Sequence, residues 1–200
     1  VTGVQTCALP IYGKPLLMLH GNGNNISAFE KQIPFFSRYF KVIAIDSRLQ
    51  GKSGGSADTL SYQMMADDFC ALIQYLKLDS VYVLGWSDGG IDAIIMAMTC
   101  GSKIKAIAVT GANTVPDSSA ISNADIQSMK DVVANSQSTA KEKTLNRMMI
   151  FQPVIEWQRL ASVHCPTLVM AGDHDIIKPE HTIKIFQSIP GAQLCIFPNA

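Results

Sequence analysis

The sequence predicts an α/β fold in which a mostly parallel β-sheet carries helices on both faces. Three observations lead to this fold class. Short apolar runs alternate with longer amphipathic segments along most of the chain. The apolar runs are largely continuous, as strands buried on both faces are, instead of alternating with polar residues. Polar or glycine-rich loops follow most of the runs, at the positions where sites form in parallel sheets.

The composition indicates a neutral chain of one domain. Of its 200 residues, 48% are hydrophobic and 16% are charged, with 16 basic and 16 acidic side chains. A nucleic-acid partner is not expected without a basic surplus. The sequence contains no run of 18 or more apolar residues, so no transmembrane helix is predicted. The five cysteines show neither C-x-x-C metal spacing nor a convincing pair, which suits a cytoplasmic location. Neither a metal nor a cofactor is expected, and the composition says nothing about oligomeric state.

The first part of the chain predicts two strands with a helix between them. Leu16–Leu19 is a continuous apolar run that breaks at a His-Gly pair, so it is predicted as a buried strand. Ser27 fits the first position of a capping box, and apolar residues follow at helical spacing through residues 29–40. Pro34 should kink or split this helix. Lys41–Ile45 is the second predicted strand.

The next part predicts the clearest helix and two central strands. A loop rich in glycine and serine, residues 50–59, comes first. From Ser61 to Leu76, apolar residues recur every 3.6 positions behind a capping serine, which predicts an amphipathic helix. Val81–Leu84 and Ile104–Val109 are predicted as strands, and a helix over residues 88–99 is predicted between them.

Residues 113–160 interrupt this alternation and predict two or three helices, one of them opened by a capping box at Thr139–Glu142. As a lid, this insert would line an acyl pocket; as ordinary amphipathic helices, it would pack on the sheet. The sequence favours neither alternative. The apolar residues concerned are Met148, Met149, Phe151 and Trp157. The last predicted strands, Thr167–Met170 and Leu194–Phe197, flank a helix over residues 179–189.

The strongest chemical signal is the pattern G-x-S-x-G at residues 85–89, between a predicted strand and a predicted helix. A sharp strand-to-helix turn needs small flanking residues to lift its serine, Ser87, out of the sheet. The serine then lies at a helix N-terminus, which favours developing negative charge. The plainer alternative is that Ser87 only caps the helix. Loops at residues 20–23, 46–53 and 172–175 also follow strands, so they should meet Ser87 at one edge of the sheet.

The four motifs H-G-x-G, D-S-R-x-x-G-x-S, G-W-S-D-G-G and G-D-x-D, in this order, resemble the α/β-hydrolase fold superfamily. The resemblance is closest to its single-domain bacterial serine hydrolases and runs from about Leu16 to Ala200. It implies a serine hydrolase that cleaves a carboxylic ester, or a similar small acyl or carbonyl substrate, through an acyl-enzyme. A small molecule is therefore the expected partner. The alternative is a receptor or scaffold of the same fold that binds a small ligand without turnover.

The resemblance also implies roles for individual residues. Ser87 would be the nucleophile, and the backbone N–H groups of Asn22 and Asp88 would form the oxyanion hole. Asp175, the fourth residue of its motif, would be the triad acid, with Asp173 as the lesser candidate. The Asp88 side chain is expected to be a first-turn carboxylate that points away from the serine. Trp86 could contact substrate, although a core or rim position is the more ordinary role for it.

One residue departs from the family pattern. Leu49 stands where relatives commonly have a glycine, and a leucine tolerates a positive φ poorly, so the geometry of this loop is in doubt.

His20 is expected to order the neighbouring oxyanion loop and not to move a proton.

The order Ser, Asp, His of this family requires a histidine after the last strand, and none is present. The four histidines of the chain, His20, His164, His174 and His181, all precede that strand. In related sequences a Gly-His pair follows the segment Phe-Pro-Asn-Ala that closes this chain. We therefore expect the triad histidine to lie beyond Ala200 and the 200-residue chain to be nearly inactive.

The first residues carry a different resemblance. Residues 1–11 fit no strand or helix period and match the translation of a common sequencing adapter. We therefore expect residues 1–11 to be a non-native segment. Residues 12–200 would then form a partial α/β-hydrolase domain, with a helical lid at about residues 113–160 and without the opening strands of its family.

Overall fold

The computed structural model describes residues 6–9, 13–56 and 58–200, with the backbone alone for residues 6–9. The strands are β1 (Thr6–Leu9), β2 (Lys14–Leu19), β3 (Phe40–Ile45), β4 (Val81–Trp86), β5 (Ile104–Thr110), β6 (Thr167–Gly172) and β7 (Gln193–Phe197). The helices are α1 (Gln32–Phe36), α2 (Tyr62–Tyr75), α3 (Asp88–Thr99), α4 (Asn123–Ala134), α5 (Ala140–Phe151) and α6 (Pro179–Ser188). Short 3₁₀ helices cover Ile26–Phe29, Gly101–Lys103 and Trp157–Ser162.

The strands form one sheet in the order β1-β3-β2-β4-β5-β6-β7. Strands β2 to β7 run parallel to their neighbours, and β1 pairs antiparallel with β3 at the edge. This arrangement confirms the mostly parallel α/β sheet. The six strands predicted from the sequence are all present, each longer by one or two residues.

Apolar cores lie on both faces of the sheet. In β2, Leu17 and Leu19 belong to the larger core, which α2, α3 and α6 cover. The intervening residues Leu16 and Met18 belong to a smaller core beside α1. Because both faces are covered, the strands are apolar on successive residues, which explains the continuous runs in the sequence.

The first helical segment differs from the sequence-based expectation. Ser27 does not cap it: the Asn25 side chain accepts the Ser27 N–H at 2.8 Å and caps a 3₁₀ helix of four residues. Asparagine competes well for such local backbone hydrogen bonds. A separate five-residue helix, α1, follows and contains Pro34, so the expected split is observed. The other expected caps are confirmed, with Ser61 opening α2 and a complete capping box opening α5.

The N-terminal stretch also differs from expectation, because Thr6–Leu9 forms a strand although its sequence has no strand period. Its register pairs Thr6 with Ile45 and Leu9 with Val42. Ladder hydrogen bonds come from backbone N–H and C=O groups, so an edge strand requires no particular side-chain pattern. Residues 1–5 and 10–12 lie outside the described residues.

The expectation from the sequence that the cysteines form no pair is wrong. Cys70 in α2 and Cys100 after α3 form a disulfide with a Cα–Cα distance of 6.4 Å, whereas Cys165 and Cys195 are free. The two partners are 30 residues apart, and only the packing of α2 against α3 brings them together. Because disulfides persist mainly in oxidising compartments, this pair removes the basis for expecting a cytoplasmic location. In the described residues, no helix is long and apolar enough to cross a membrane.

One acidic side chain is buried in the larger core without a partner. Asp92, in α3, has no exposed surface, and neither of its carboxylate oxygens has a hydrogen-bond partner among the described residues. Burial raises the pKa of Asp92 well above its usual range, and the nearby carboxylates of Asp88 and Asp68 raise it further. The folded chain therefore binds a proton at Asp92 more tightly than the unfolded chain does.

Replacing both Cys70 and Cys100 with serine should lower the free energy of unfolding by ~3–4 kcal/mol, because the unfolded chain is no longer closed into a loop. Urea denaturation with and without dithiothreitol measures this effect. Reductant should lower the stability of the wild-type chain to that of the double variant and leave the variant unchanged. Unchanged wild-type stability after complete reduction would contradict the disulfide.

The Asp92→Asn variant should be more stable than wild type at pH 8, and nearly equal to it near pH 4. Below the unfolded pKa both states hold the Asp92 proton, whereas the stability that this proton contributes is lost as the pH rises through the folded pKa. Each unit of pKa elevation corresponds to ~1.4 kcal/mol at high pH. Urea denaturation at several pH values provides the test, with exposed Asp67→Asn as the control. A stability difference that does not change with pH would overturn this prediction.

Candidate active site

Ser87 lies in a tight turn between β4 and α3, with φ of 55° and ψ of −119°. A positive φ is strained for a side-chain-bearing residue and persists only where its surroundings enforce it. Here the Ser87 N–H donates to the Thr110 carbonyl oxygen of β5 at 2.8 Å. A Cβ on Gly89 would collide with the Leu19 carbonyl, and one on Gly85 with the Gly89 carbonyl. Both glycines of the G-x-S-x-G pattern are therefore required by close backbone contacts.

The Ser87 hydroxyl takes no part in holding this turn. Ser87 occupies the N-cap position of α3, but its side chain makes no capping hydrogen bond. The bond that the plainer capping alternative requires is therefore absent. The side chain is half-buried, and the helix N-terminus beside it favours negative charge.

The structure brings the loop after β2 against the serine. A Cβ placed on Gly21 would lie 3.0 Å from the Ser87 Cβ and 3.5 Å from its Oγ. The Asn22 side-chain amide donates to Asp88 Oδ2 at 2.8 Å. In the described part of the chain, the backbone N–H groups of Asn22 and Asp88 have no hydrogen-bond acceptor. Two backbone donors without an acceptor among the described residues thus lie near Ser87, one in the loop after β2 and one at the first residue of α3.

His20 orders this loop through both ring nitrogens. Its Nε2 accepts the Ser47 N–H at 3.0 Å, and its Nδ1 lies 2.8 Å from the Gly21 carbonyl oxygen, to which it donates. Burial lowers the pKa of His20, so the neutral ring is favoured. A neutral ring with one donor and one acceptor matches these two contacts.

Two further residues hold the loop, and sequence reasoning missed both. Gln50 Oε1 accepts the Gly23 N–H at 2.7 Å. Asp46 Oδ1 accepts the Ile26 N–H at 2.7 Å, and its Oδ2 accepts the Lys52 N–H at 2.8 Å. The D-S-R motif that contains Asp46 pointed to this segment, but nothing in the sequence names the partners of these side chains.

Leu49, the departure from the family pattern, has a φ of 64°. A leucine therefore adopts here the left-handed conformation that a glycine adopts more easily. Its N–H donates to the Gly54 carbonyl oxygen at 3.0 Å, and its side chain packs against the larger core. These contacts offset the strain.

Of the two candidate acids, Asp175 is the one that lies near the serine. A Cβ placed on Gly111 would lie 3.4 Å from Asp175 Oδ2 and 3.9 Å from the Ser87 Cα. The Asp175 carboxylate and Ser87 therefore lie on either side of Gly111, close to each other. Asp173 is exposed, and its Oδ1 accepts the Ala200 N–H at 3.2 Å. Only Asp175 lines a cavity together with Ser87.

None of the four histidines, all of which lie in the described residues, hydrogen-bonds to Ser87 or Asp175. His181 is buried, and its Nε2 accepts the Thr114 N–H at 3.0 Å. Burial lowers the pKa of His181 to about 4. His174 is exposed beside Asp173, at 3.9 Å, and His164 is exposed in a linker. Among the described residues, therefore, no histidine side chain is hydrogen-bonded to the serine.

The cavity above Ser87 has a volume of about 160 Å³. It combines polar side chains with apolar ones from the insert and from the loop after β6. The polar lining residues are Tyr62, Asp88, Asn113, Gln152 and Asp175, and the apolar ones are Trp86, Ile121, Met129, Met149, Ile176 and Ile177. In the part of the chain that the structure describes, no group of three or more His, Cys, Asp or Glu side chains could hold a metal.

The insert both lines the cavity and packs on the sheet. Met149 faces the cavity, whereas Met148 is buried in the larger core. Phe151 is 69% exposed, and the Trp157 ring contacts the His181 ring at a tilt of 60°, with ring centroids 5.0 Å apart. Trp86 is a rim aromatic, 38% exposed, that also lines the cavity. Some residues of the insert, such as Met149, therefore line the cavity as a lid would, whereas others, such as Met148, pack in the core.

The Asp88 side chain is a carboxylate in the first turn of α3, as expected, but the sequence did not predict its surroundings. It is buried, and its Oδ1 accepts the Tyr62 hydroxyl at 2.9 Å while its Oδ2 accepts from Asn22. Burial raises the pKa of Asp88 to about 6, and these two hydrogen bonds act in the opposite direction. One partner lies in the loop after β2, 66 residues away, and the other is the first residue of α2, 26 residues away, and local sequence reveals neither.

Two curated relatives are named for their activity. The chain is 28% identical to serine hydrolase BPHL of Homo sapiens over 186 residues. The matched region covers 81% of this chain and 63% of that protein. It is 29% identical over 212 residues to serine hydrolase BPHL of Mus musculus, covering 92% of this chain and 71% of that protein. The chain thus spans about two thirds of the length of these relatives.

Solved structures share the whole fold. A hydrolase from Pseudomonas aeruginosa has a TM-score of 0.83 at 17% identity, covering 97% of this chain and 84% of its own. A thermophilic esterase from Thermogutta terrifontis has a TM-score of 0.83 at 20% identity, covering 98% and 85%. A family model described as alpha/beta hydrolase fold matches residues 14–151. The chain therefore belongs to the alpha/beta hydrolase family.

Proposed function

We propose that the protein is a serine hydrolase that cleaves a carboxylic ester, or a similar small acyl or carbonyl substrate, with Ser87 as nucleophile. The observation that carries this proposal is the Ser87 hydroxyl, which is held in a strained turn, makes no capping bond and faces a cavity that Asp175 also lines. Strained turns of this kind present nucleophiles in related hydrolases. The small volume of the cavity and its apolar lid side suit a short acyl group.

The proposed reaction passes through an acyl-enzyme. The Ser87 oxygen attacks the carbonyl carbon while a base takes its proton, and the carbonyl oxygen becomes an anion. The N–H groups of Asn22 and Asp88 would donate to this oxyanion, and the N-terminus of α3 adds a favourable field. The base then protonates the departing alcohol. Water, deprotonated by the same base, attacks the acyl group and releases the acid and the free serine.

The base in this scheme is a histidine oriented by Asp175, and none of the four histidines of the chain hydrogen-bonds to Asp175 through its side chain. The Ala200 carbonyl accepts the His174 N–H at 2.9 Å, and the Ala200 N–H donates to Asp173. These bonds hold Ala200 against the loop that carries Asp175. Without the histidine, the 200-residue chain should be close to inactive, since losing a triad member costs several orders of magnitude in rate.

A non-catalytic receptor or scaffold for a small ligand is the second candidate. It is favoured by one observation: no histidine side chain of the described chain hydrogen-bonds to Ser87 or Asp175. The two candidates differ in whether the Ser87 hydroxyl becomes reactive once a base is provided.

Imidazole, a diffusible substitute for the missing base, should restore turnover of p-nitrophenyl acetate by the 200-residue chain. A positioned general base contributes ~10²–10⁴-fold, so we expect imidazole to raise the Ser87-dependent rate by at least about tenfold. The Ser87→Ala variant measures the reaction of imidazole alone. Turnover at ordinary enzyme rates without imidazole would contradict the missing base. No Ser87-dependent turnover at any imidazole concentration would contradict the hydrolase and favour the receptor.

Asp175→Asn should reduce the imidazole-rescued rate by about 10-fold or more, because the bound imidazole loses the carboxylate that orients it and stabilises its cation. The matched control is Asp173→Asn, in the same loop, which should leave that rate unchanged. The kcat of the rescued reaction is the measurement. The opposite ranking of the two variants would assign the triad acid to Asp173.

A further inference from the structure

The Asp88 carboxylate has no role in the reaction described above, although it is buried directly beside the nucleophile. Its residue is only 4% exposed, and Tyr62, which donates to it, is 2% exposed. No lysine or arginine pairs with it in the described part of the chain. A buried carboxylate without a cationic partner is unfavourable unless hydrogen bonds stabilise it. The charged form of Asp88 therefore depends on the two hydrogen bonds that it accepts.

The two hydrogen bonds of Asp88 connect three separate parts of the fold. Oδ1 accepts the hydroxyl of Tyr62, the first residue of α2, at 2.9 Å. Oδ2 accepts the side-chain amide of Asn22, in the loop after β2, at 2.8 Å. Asp88 itself is the first residue of α3. One carboxylate therefore joins the oxyanion loop and α2 to the helix that begins at the nucleophile.

Asn22 depends on this bond for its link to the nucleophile helix. Its other hydrogen bond in the described residues is local, from the Asn24 side-chain amide to the Asn22 carbonyl at 3.2 Å. The contacts of Gln50 and Asp46 hold the neighbouring residues Gly23 and Ile26 and not Asn22. The residue that offers one oxyanion N–H is therefore tied through its side chain to the residue that offers the other.

We propose that the Asp88 carboxylate, itself oriented by Tyr62, is a positioning residue that holds the Asn22 backbone N–H toward the oxyanion. This inference rests on the proposed function, because it assigns a purpose to the tether in the same reaction. Asp88 would thus act twice, through its N–H on the oxyanion and through its side chain on the second donor. A donor displaced by about 1 Å costs ~10²-fold in rate.

A double-mutant cycle tests the tether in the imidazole-rescued reaction. Asp88→Ala and Asn22→Ala each keep the backbone N–H groups but remove one end of the bond. Each should lower kcat by about 10–100-fold and change KM by less than about twofold, because the oxyanion exists only in the transition state. The double variant should be no slower than the slower single variant. Multiplying effects of the two substitutions would overturn the proposal.

The conservative variant and the pH profile separate positioning from a purely structural role. Asp88→Asn keeps an oxygen that accepts from Asn22 and gains an N–H that can donate to the Tyr62 oxygen, so it should restore kcat to within about threefold of wild type. Burial raises the pKa of Asp88 to about 6, and the titratable groups facing it are Tyr62 on α2 and Asp92 on α3. At constant free imidazole base, wild-type kcat should fall by no more than about threefold as Asp88 is protonated below about pH 6, because the carboxylic acid, like asparagine, keeps one oxygen that accepts from Asn22 and one group that donates to Tyr62. A larger fall in wild type that Asp88→Asn lacks would assign the effect to the charge of Asp88 and would overturn the proposal.

Amide NMR tests the hydrogen bond between the Asn22 side chain and the Asp88 carboxylate independently of turnover. In the 200-residue chain, Asp88→Ala should shift the backbone N–H and side-chain NH₂ resonances of Asn22, whereas Asp67→Asn should not. Unshifted Asn22 resonances would overturn the proposal even if the chain is a hydrolase. Shifted resonances without any Ser87-dependent turnover would instead confirm the tether and refute the proposed function, and with it the catalytic purpose of the tether.

Discussion

The close approach of α3 to the end of β2 is the constraint on which the site depends. The Gly89 backbone lies against the Leu19 carbonyl, so closely that no side chain fits at position 89. The same approach accompanies the positive φ of Ser87 and its position beside Gly21. Ser87, the loop after β2 and the positive end of α3 therefore meet where two backbones are in contact. This arrangement does not depend on the side chains proposed to take part in the reaction.

The surroundings of this contact stabilise several locally unfavourable features. Ser87 and Leu49 have a positive φ, Asp88 is a buried carboxylate, and Asp92 has no hydrogen-bond partner within the described part of the chain. Such features persist only where the rest of the fold holds them in place. Here the support is a parallel sheet with a core on each face and a disulfide between α2 and α3. The strain collects where the chemistry is proposed, and the stabilising contacts lie around it.

Local patterns in the sequence predicted the parts of this structure that depend on local physics. The six parallel strands, the caps of α2 and α5 and the turn at Ser87 follow from apolar runs, capping residues and glycine placement. The disulfide, the Asn25 cap and the partners of the Asp88 carboxylate were missed. The disulfide and the Asp88 contacts join residues at least 26 positions apart, and only the packed structure brings them together. The Asn25 cap was missed because two neighbouring residues compete for one role.

The unpartnered Asp92 carboxylate couples folding of this chain to the solvent. Between its unfolded and its raised folded pKa, each molecule that folds takes up a proton at Asp92. That proton comes from the buffer, so the heat of folding includes the ionisation enthalpy of whichever buffer is present. A calorimetric enthalpy for this chain is therefore a property of the protein only after extrapolation across buffers.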